Sequence, residues 1–240
     1  MHMSFHRGIR HGIPIALGYF PVSFAFGIFA VGQGLMPLEA ILISLFNVTS
    51  AGQLAGVPLL VASASYLELA LTELVINLRY ALMSITLSQK LDRSVTIPDR
   101  FAIAFVNTDE VFAISAAQSG LLPRSYMYGL IIPPYLGWAA GTVLGALAGD
   151  VLPSLLVSAL GIAIYGMFVS IIVPAARDHR AILSVVIISA GISIMIAYLP
   201  IFDFISGGFS IILSAVVASL IMAFIAPIRL DGGKGDEDHD

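Results

Sequence analysis

Along its 240 residues the chain alternates long apolar stretches with short interruptions rich in charge, glycine, proline or small polar residues. A bilayer core of about 30 Å is crossed by about 20 apolar helical residues. Cutting the chain at its interruptions gives segments of roughly that length at about 9–36, 39–64, 66–89, 101–119, 126–148, 153–174, 181–199 and 208–228. Basic residues collect between them: Arg7 and Arg10 at the start, Lys90, Arg93 and Arg100, then Arg177 and Arg180, and finally Arg229 with Lys234. Cytoplasmic loops hold the excess of Lys and Arg, and crossing at every segment would strand the Lys90 cluster outside. All four clusters share one side if 39–64 and 126–148 enter and return on the outer face. The first of these carries Asn47-Val48-Thr49-Ser50-Ala51-Gly52-Gln53 and Pro58, and the second Pro133-Pro134, which removes backbone donors.

The expected fold is therefore all-α: a polytopic membrane helix bundle of about six full crossings plus two re-entrant or broken helical segments, with both termini cytoplasmic. Seven or eight kinked crossings with a weaker charge bias form the rival. Residues 1–228 are expected to make one transmembrane transport domain, followed by an acidic tail over 229–240. Composition agrees with a lipid solvent: 58% apolar, 11% charged and a mean hydropathy of +0.98. The net charge of −4 carries little weight, because five acids sit in the last ten residues. The N-terminal apolar stretch runs too long for a cleaved leader and reads as an uncleaved first helix. With no cysteine, thiolate metal sites and cysteine nucleophiles are excluded, and neither a metal nor a cofactor is expected.

Candidate chemistry concentrates in three places. Around 47–56, unwound backbone beside Asn47, Gly52 and Gln53 has the makings of a solute site, since freed helix ends at membrane depth face ionic groups. In YLELALTELVINLRYALMSITLSQ, Glu73, Asn77, Tyr80 and Ser84 share one helical face, which makes Asn77 a further substrate-binding candidate. Arg79 points off that stripe near mid-helix, where a charge costs about 2.5–3.5 kcal/mol on insertion scales. It needs an anion, and Asp109 or Glu110 of NTDEVFA lies at similar depth, with Asn107 one turn away. One acid would pair with Arg79 while another, among Glu73, Asp109 and Glu110, exchanges a proton; structural pairing alone is the plainer alternative. Gly137, Gly141, Gly145 and Gly149 recur at every fourth position and form a groove for helix packing, within the chain or in a homodimer. An intramembrane enzyme or a channel using Asp109 and Glu110 is the competing class. No HExxH helix and no serine with histidine at depth supports an enzyme.

The blocks GIPIALGYFPVSFAFG, TSAGQLAG, NLRYALMS and NTDEVFA, in that order, resemble the AzlC family of bacterial branched-chain amino-acid exporters. The resemblance runs to about Pro227 and singles out Pro21, Phe26, Gly27, Gly52, Gln53, Asn77, Arg79, Asp109 and Glu110. It implies proton-driven export of valine, leucine and isoleucine, sometimes with methionine, across the bacterial cytoplasmic membrane. It also implies a small hydrophobic partner subunit of the AzlD type, and no nucleic acid.

Overall fold

The computed structural model describes residues 3–148 and 154–226, so Gly149 and the acidic tail at 229–240 lie outside the described residues. The described residues are all-α, in helices α1 (Phe5–Gly32), α2 (Pro37–Phe46), α3 (Ser50–Val61), α4 (Tyr66–Ser88), α5 (Ile97–Phe105), α6 (Asp109–Ala117), α7 (Arg124–Ala148), α8 (Ser154–Asp178), α9 (Arg180–Tyr198) and α10 (Gly207–Ile225). Helices α1, α4, α7, α9 and α10 are each long and apolar enough to cross a bilayer. Helix α8 adds a 25-residue segment of mostly apolar sequence. The chain divides into two compact units, Met1–Ser170 and Ile171–Asp240.

The first unit is organised around α1 and α7, which lie side by side and run the same way. Their meeting surface is built from glycine. Gly8 and Gly12 of α1 face the carbonyls of Tyr126 and Leu130, and Gly27 faces that of Thr142. From α7, Gly129, Gly137, Gly141 and Gly145 face the backbone of Phe5, Ala16, Phe20 and Phe24 in turn. A Cβ on Gly27 would lie 2.6 Å from both the Thr142 oxygen and the Ala146 nitrogen, so only glycine permits this approach.

Two helical hairpins pack against these long helices from opposite ends. Helix α2 descends along α7: Ala40 packs with Phe26, Ala30 and Ala146, Ser44 Oγ meets Thr142 Oγ1 at 2.6 Å, and the Leu45 carbonyl accepts from Tyr135 at 3.2 Å. The chain then unwinds over Asn47–Thr49 and returns as α3, with Gly52 against Glu73 and Asn77 and Gly56 against Leu69. Entry at Pro37 and exit at Val61 thus share an end with the last turn of α1 and the first of α4.

Helices α5 and α6 make the second hairpin from the other end. At the start of α5, Arg100 donates to the Ser88 carbonyl at 3.3 Å, and Asp99 accepts from Tyr128 at 2.8 Å and pairs with Arg124 at 3.0 Å. At the end of α6, Lys90 Nζ donates to the carbonyls of Ala116 at 2.5 Å and Gln118 at 2.7 Å, and Arg7 donates to the Gln118 side chain at 3.2 Å. Arg7, Arg10, Lys90, Arg93, Arg100 and Arg124 therefore gather at this end. The linkers 33–36 and 62–65 at the opposite end carry no Lys or Arg.

The expectation for 39–64 thus matches a broken segment, but that for 126–148 is corrected. Helix α7 runs unbroken through Pro133 and Pro134. The Leu130 carbonyl, freed by the missing donor of Pro134, lies against Gly12, where a Cβ would sit 2.6 Å away. Neighbouring helices make intramembrane proline tolerable in this way. The second break falls instead in 101–119, expected to be a full crossing, at Val106–Thr108. There Thr108 takes an extended N-cap conformation, with Asp109 and Glu110 in the first turn of α6.

In the second unit α9 and α10 pack together across a short turn at Pro200–Phe202. Ser214, Ala218 and Met222, four residues apart on α10, are buried.

Candidate functional site

The tips of the two hairpins meet. Between them is a cavity of about 230 Å³ lined by Phe46, Asn47, Val48 and Thr49 of the first tip, Ala104, Phe105 and Asn107 of the second, and Asn77 and Tyr80 of α4. That volume is near the small end of organic-ligand sites, the scale of a single small solute. The N-terminal ends of α3 and α6 and the C-terminal ends of α2 and α5 converge on the tips. Partial charges of both signs are therefore presented to one space.

The first tip is pinned by its own polar residues. Thr49 Oγ1 donates to Asn47 Oδ1 at 2.9 Å, and Gln53 Nε2 donates to the Asn47 carbonyl at 2.5 Å. Glu73 reaches across from α4 and accepts from Asn77 Nδ2 at 2.8 Å and Asn47 Nδ2 at 3.4 Å. A Cβ on Gly52 or Gly56 would come within 2.5 or 2.9 Å of the Glu73 carboxylate oxygens. Those glycines make room for a carboxylate at membrane depth.

At the second tip, Asn107 is 3% exposed and its Nδ2 donates to Ser84 Oγ at 3.0 Å. The hydroxyl of Tyr19 bridges Thr108 Oγ1, at 2.5 Å, and the Glu110 carboxylate, and its ring stands edge-on to Trp138. Arg79 Nη2 pairs with Asp109 Oδ2 at 3.0 Å and donates to Tyr80 Oη at 3.0 Å, with its guanidinium 4.9 Å from the centre of that ring. The Oδ1 atoms of Asn77 and Asn107 and Oε1 of Gln53 have no hydrogen-bond partner among the described residues.

Among the sequence candidates, Asn47 and Asn77 line the cavity, whereas Gly52 seats Glu73 and Gln53 braces the tip from behind. The two acids of α6 separate: Asp109 meets Arg79 and Glu110 meets Tyr19. The Arg79–Asp109 pair stands beside the break at 106–108, not beside the one next to Gly52, and its side chains are 45% and 39% exposed. Phe26 and Gly27 lie in the α1–α7 interface, and Pro21 is exposed inside α1. Gly137, Gly141 and Gly145 face α1. Tyr19 escaped sequence reasoning, because a tyrosine in a long apolar run carries no pattern of its own.

Apolar crossings around two opposed hairpins, with a cavity of mixed polar and apolar lining where their tips meet, define a polytopic membrane protein of the solute-transporter class. Residues 14–152 match the model of the AzlC protein family, and the chain belongs to that family, a family of transporters. The match takes in both hairpins and α7. An uncharacterized membrane protein of Archaeoglobus fulgidus is 34% identical over 178 residues, 73% of this chain and 78% of the relative. The inner membrane protein YgaZ of Escherichia coli is 28% identical over 187 residues, 75% of this chain and 76% of its own. A Helicobacter pylori membrane protein is 29% identical over 151 residues, 61% and 65% of the two chains. No solved structure matches.

Proposed function

We propose that this chain is a proton-coupled exporter of branched-chain amino acids, valine, leucine and isoleucine, with methionine as a further solute. The observation that carries the proposal is the small cavity at the meeting of the hairpin tips, where Asn47, Asn77 and Asn107 stand beside Phe46, Val48 and Phe105. A zwitterion with an aliphatic tail asks for that combination of ionic helix ends, amide groups and apolar wall. Asn47 and Asn77 touch the solute, while Gly52 and Gln53 hold the first tip in shape. Proton uptake falls to Glu73, Asp109 or Glu110, each of which belongs to a hairpin tip or contacts one. Protonation at such a contact shifts the balance between hairpin positions and so exchanges access between the two sides.

The basic end of the first unit faces the cytoplasm, following the bias of Lys and Arg toward that side. The N-terminus is then inside, and the host membrane is the bacterial cytoplasmic membrane. The transport domain spans 1–228, the acidic sequence 229–240 follows it, and a small hydrophobic AzlD-type subunit completes the system. The test is counterflow of labelled valine in proteoliposomes containing the chain with and without that subunit, under an imposed proton gradient. Gradient-dependent uptake that unlabelled leucine competes away is the expected result. A conductive flux that neither saturates nor shows counterflow would favour a channel.

A further inference from the structure

The carboxylates at the hairpin tips differ in what holds them. Asp109 is paired with Arg79, and Glu110 accepts from the hydroxyl of Tyr19. Glu73 forms no ion pair among the described residues and meets two amides instead. Asn77 Nδ2 at 2.8 Å and Asn47 Nδ2 at 3.4 Å both donate to the same oxygen, Oε2. Asn77 shares α4 with Glu73, whereas Asn47 belongs to the first tip. The longer of the two bonds is therefore the one that ties the tip to α4.

That tie depends on charge. An ionised acceptor makes hydrogen bonds roughly twice as strong as a neutral one. Helix α3 starts at Ser50 with no side-chain cap from Thr49, and its first turn brings Gly52 against Glu73 Oε2. A negative charge there complements the positive end of α3. Taking up a proton weakens both attractions at once and breaks no ion pair. No neighbouring charge stands in for the one that is lost. Helix α3 carries no ionisable side chain, and α2 carries Glu39, which accepts from its own helix start at Met36. On α5, Asp99 and Arg100 are held by Arg124 and the Ser88 carbonyl at the basic end. On α6, Asp109 and Glu110 are engaged as described, and on α4 Arg79 donates to Tyr80. Glu68, five positions before Glu73, lies on another side of α4.

Resting on the transport proposal above, we infer that Glu73 is a proton-operated latch on the first hairpin. Ionised, it holds the tip against α4; protonated, it lets go of Asn47 and of the first turn of α3. The hairpin it frees is the one whose ends, Pro37 and Val61, lie opposite the basic cluster, so a proton here acts on one hairpin and not on the other. Gly52 and Gly56 leave the carboxyl against bare α3 backbone, which therefore feels the change of charge directly. The cavity reaches Asn47 and Asn77, the two residues bonded to Glu73, and gives the proton its route.

The test follows a sole thiol placed on the tip by Val48→Cys, 5% exposed at this position in the latched protein. Its reaction with a small water-soluble thiol reagent is timed in membranes from about pH 8 to about pH 5, with Glu73 intact and with Glu73→Gln added. Comparing the two at each pH cancels the ionisation of the thiol itself. At about pH 8 the Gln variant is expected to react at least about fivefold faster, and by about pH 5, where the intact protein has unlatched as well, the ratio falls below about twofold. Asn47→Ala cuts the same tie from the side of the tip and is expected to give the same pattern, so it decides the matter if Glu73→Gln does not fold. A purely structural role for Glu73 would give a ratio that is raised equally at every pH. A ratio near one at about pH 8, or one indifferent to pH, overturns the latch. That failure beside intact gradient-driven valine uptake leaves the transport proposal standing, whereas the expected ratio beside absent counterflow overturns transport and leaves the latch.

Discussion

Replacing Arg79 with methionine removes the guanidinium and keeps most of the stem, so it isolates the charge on Asp109. The Nη2–Oδ2 separation is 3.0 Å. At an effective dielectric of about 20, unit charges at that distance attract by roughly 5 kcal/mol. The side chains are 45% and 39% exposed, so screening takes away a large part of this. A second bound comes from chemistry: a stranded aspartate escapes by taking a proton, and at pH 7 neutralising an ordinary one costs about 4 kcal/mol. With that screening the net cost falls below both figures, and Arg79→Met and Asp109→Asn are each expected to destabilise the protein by about 2–3 kcal/mol. The double variant, which has no stranded charge, should return to within about 1 kcal/mol of the starting protein. Thermal unfolding of all four forms in one detergent measures the coupling. A coupling energy under about 0.5 kcal/mol, the range of an ordinary surface pair, would refute the reasoning. Export should be lost in both singles and in the stable double, since removing both charges restores the fold but not a titratable group; wild-type leucine efflux in any of them removes the pair from the mechanism.

Three further outcomes follow from the geometry. Gly145→Val drives a side chain into the backbone of Phe24 and should lower stability by more than about 2 kcal/mol, whereas Gly18→Ala, with open space around it, should be neutral or stabilising; unfolding temperatures of the two decide. Tyr19→Phe removes the hydroxyl that bridges Thr108 and Glu110 and should cost about 1–2 kcal/mol of stability and slow transport with little change in solute affinity, read as a fall in maximal rate at constant KM. Single cysteines at Ser94 and Ala62 should react with an impermeant thiol reagent from opposite sides of the membrane, Ser94 from the cytoplasm; labelling of Ser94 from outside contradicts the proposed orientation.

Much of the fold was legible because lipid enforces a strict code: apolar length, basic clusters and polar interruptions place the long helices to within a few residues. The first break was visible for the same reason, since Asn47 to Gln53 concentrates small and polar residues that a lipid-facing helix disfavours. Pro133-Pro134 misled because proline's effect depends on what lies beside the freed carbonyl, and Gly12, distant in sequence, supplies that neighbour. The second break had a local signal in Asn107-Thr108-Asp109-Glu110, a helix-start sequence of capping residue followed by acids. It was hidden by an apolar segment long enough to pass for a crossing. The need of Arg79 for an anion followed from charge and depth alone. Which acid it takes did not, because that choice depends on where α6 begins. The bridge from Tyr19 to Glu110 joins residues far apart in sequence and leaves no mark in the local pattern.

The central claim is that the meeting point of the two hairpin tips is the solute's path. Because the chain has no cysteine, a thiol introduced at Thr49 or at Ala104 is the sole thiol in the protein, and each reports one tip. In membranes containing either variant, a small water-soluble thiol reagent should modify the cysteine, and saturating valine should slow both reactions severalfold. Thiols that never react, or that react at a rate indifferent to valine, would contradict it.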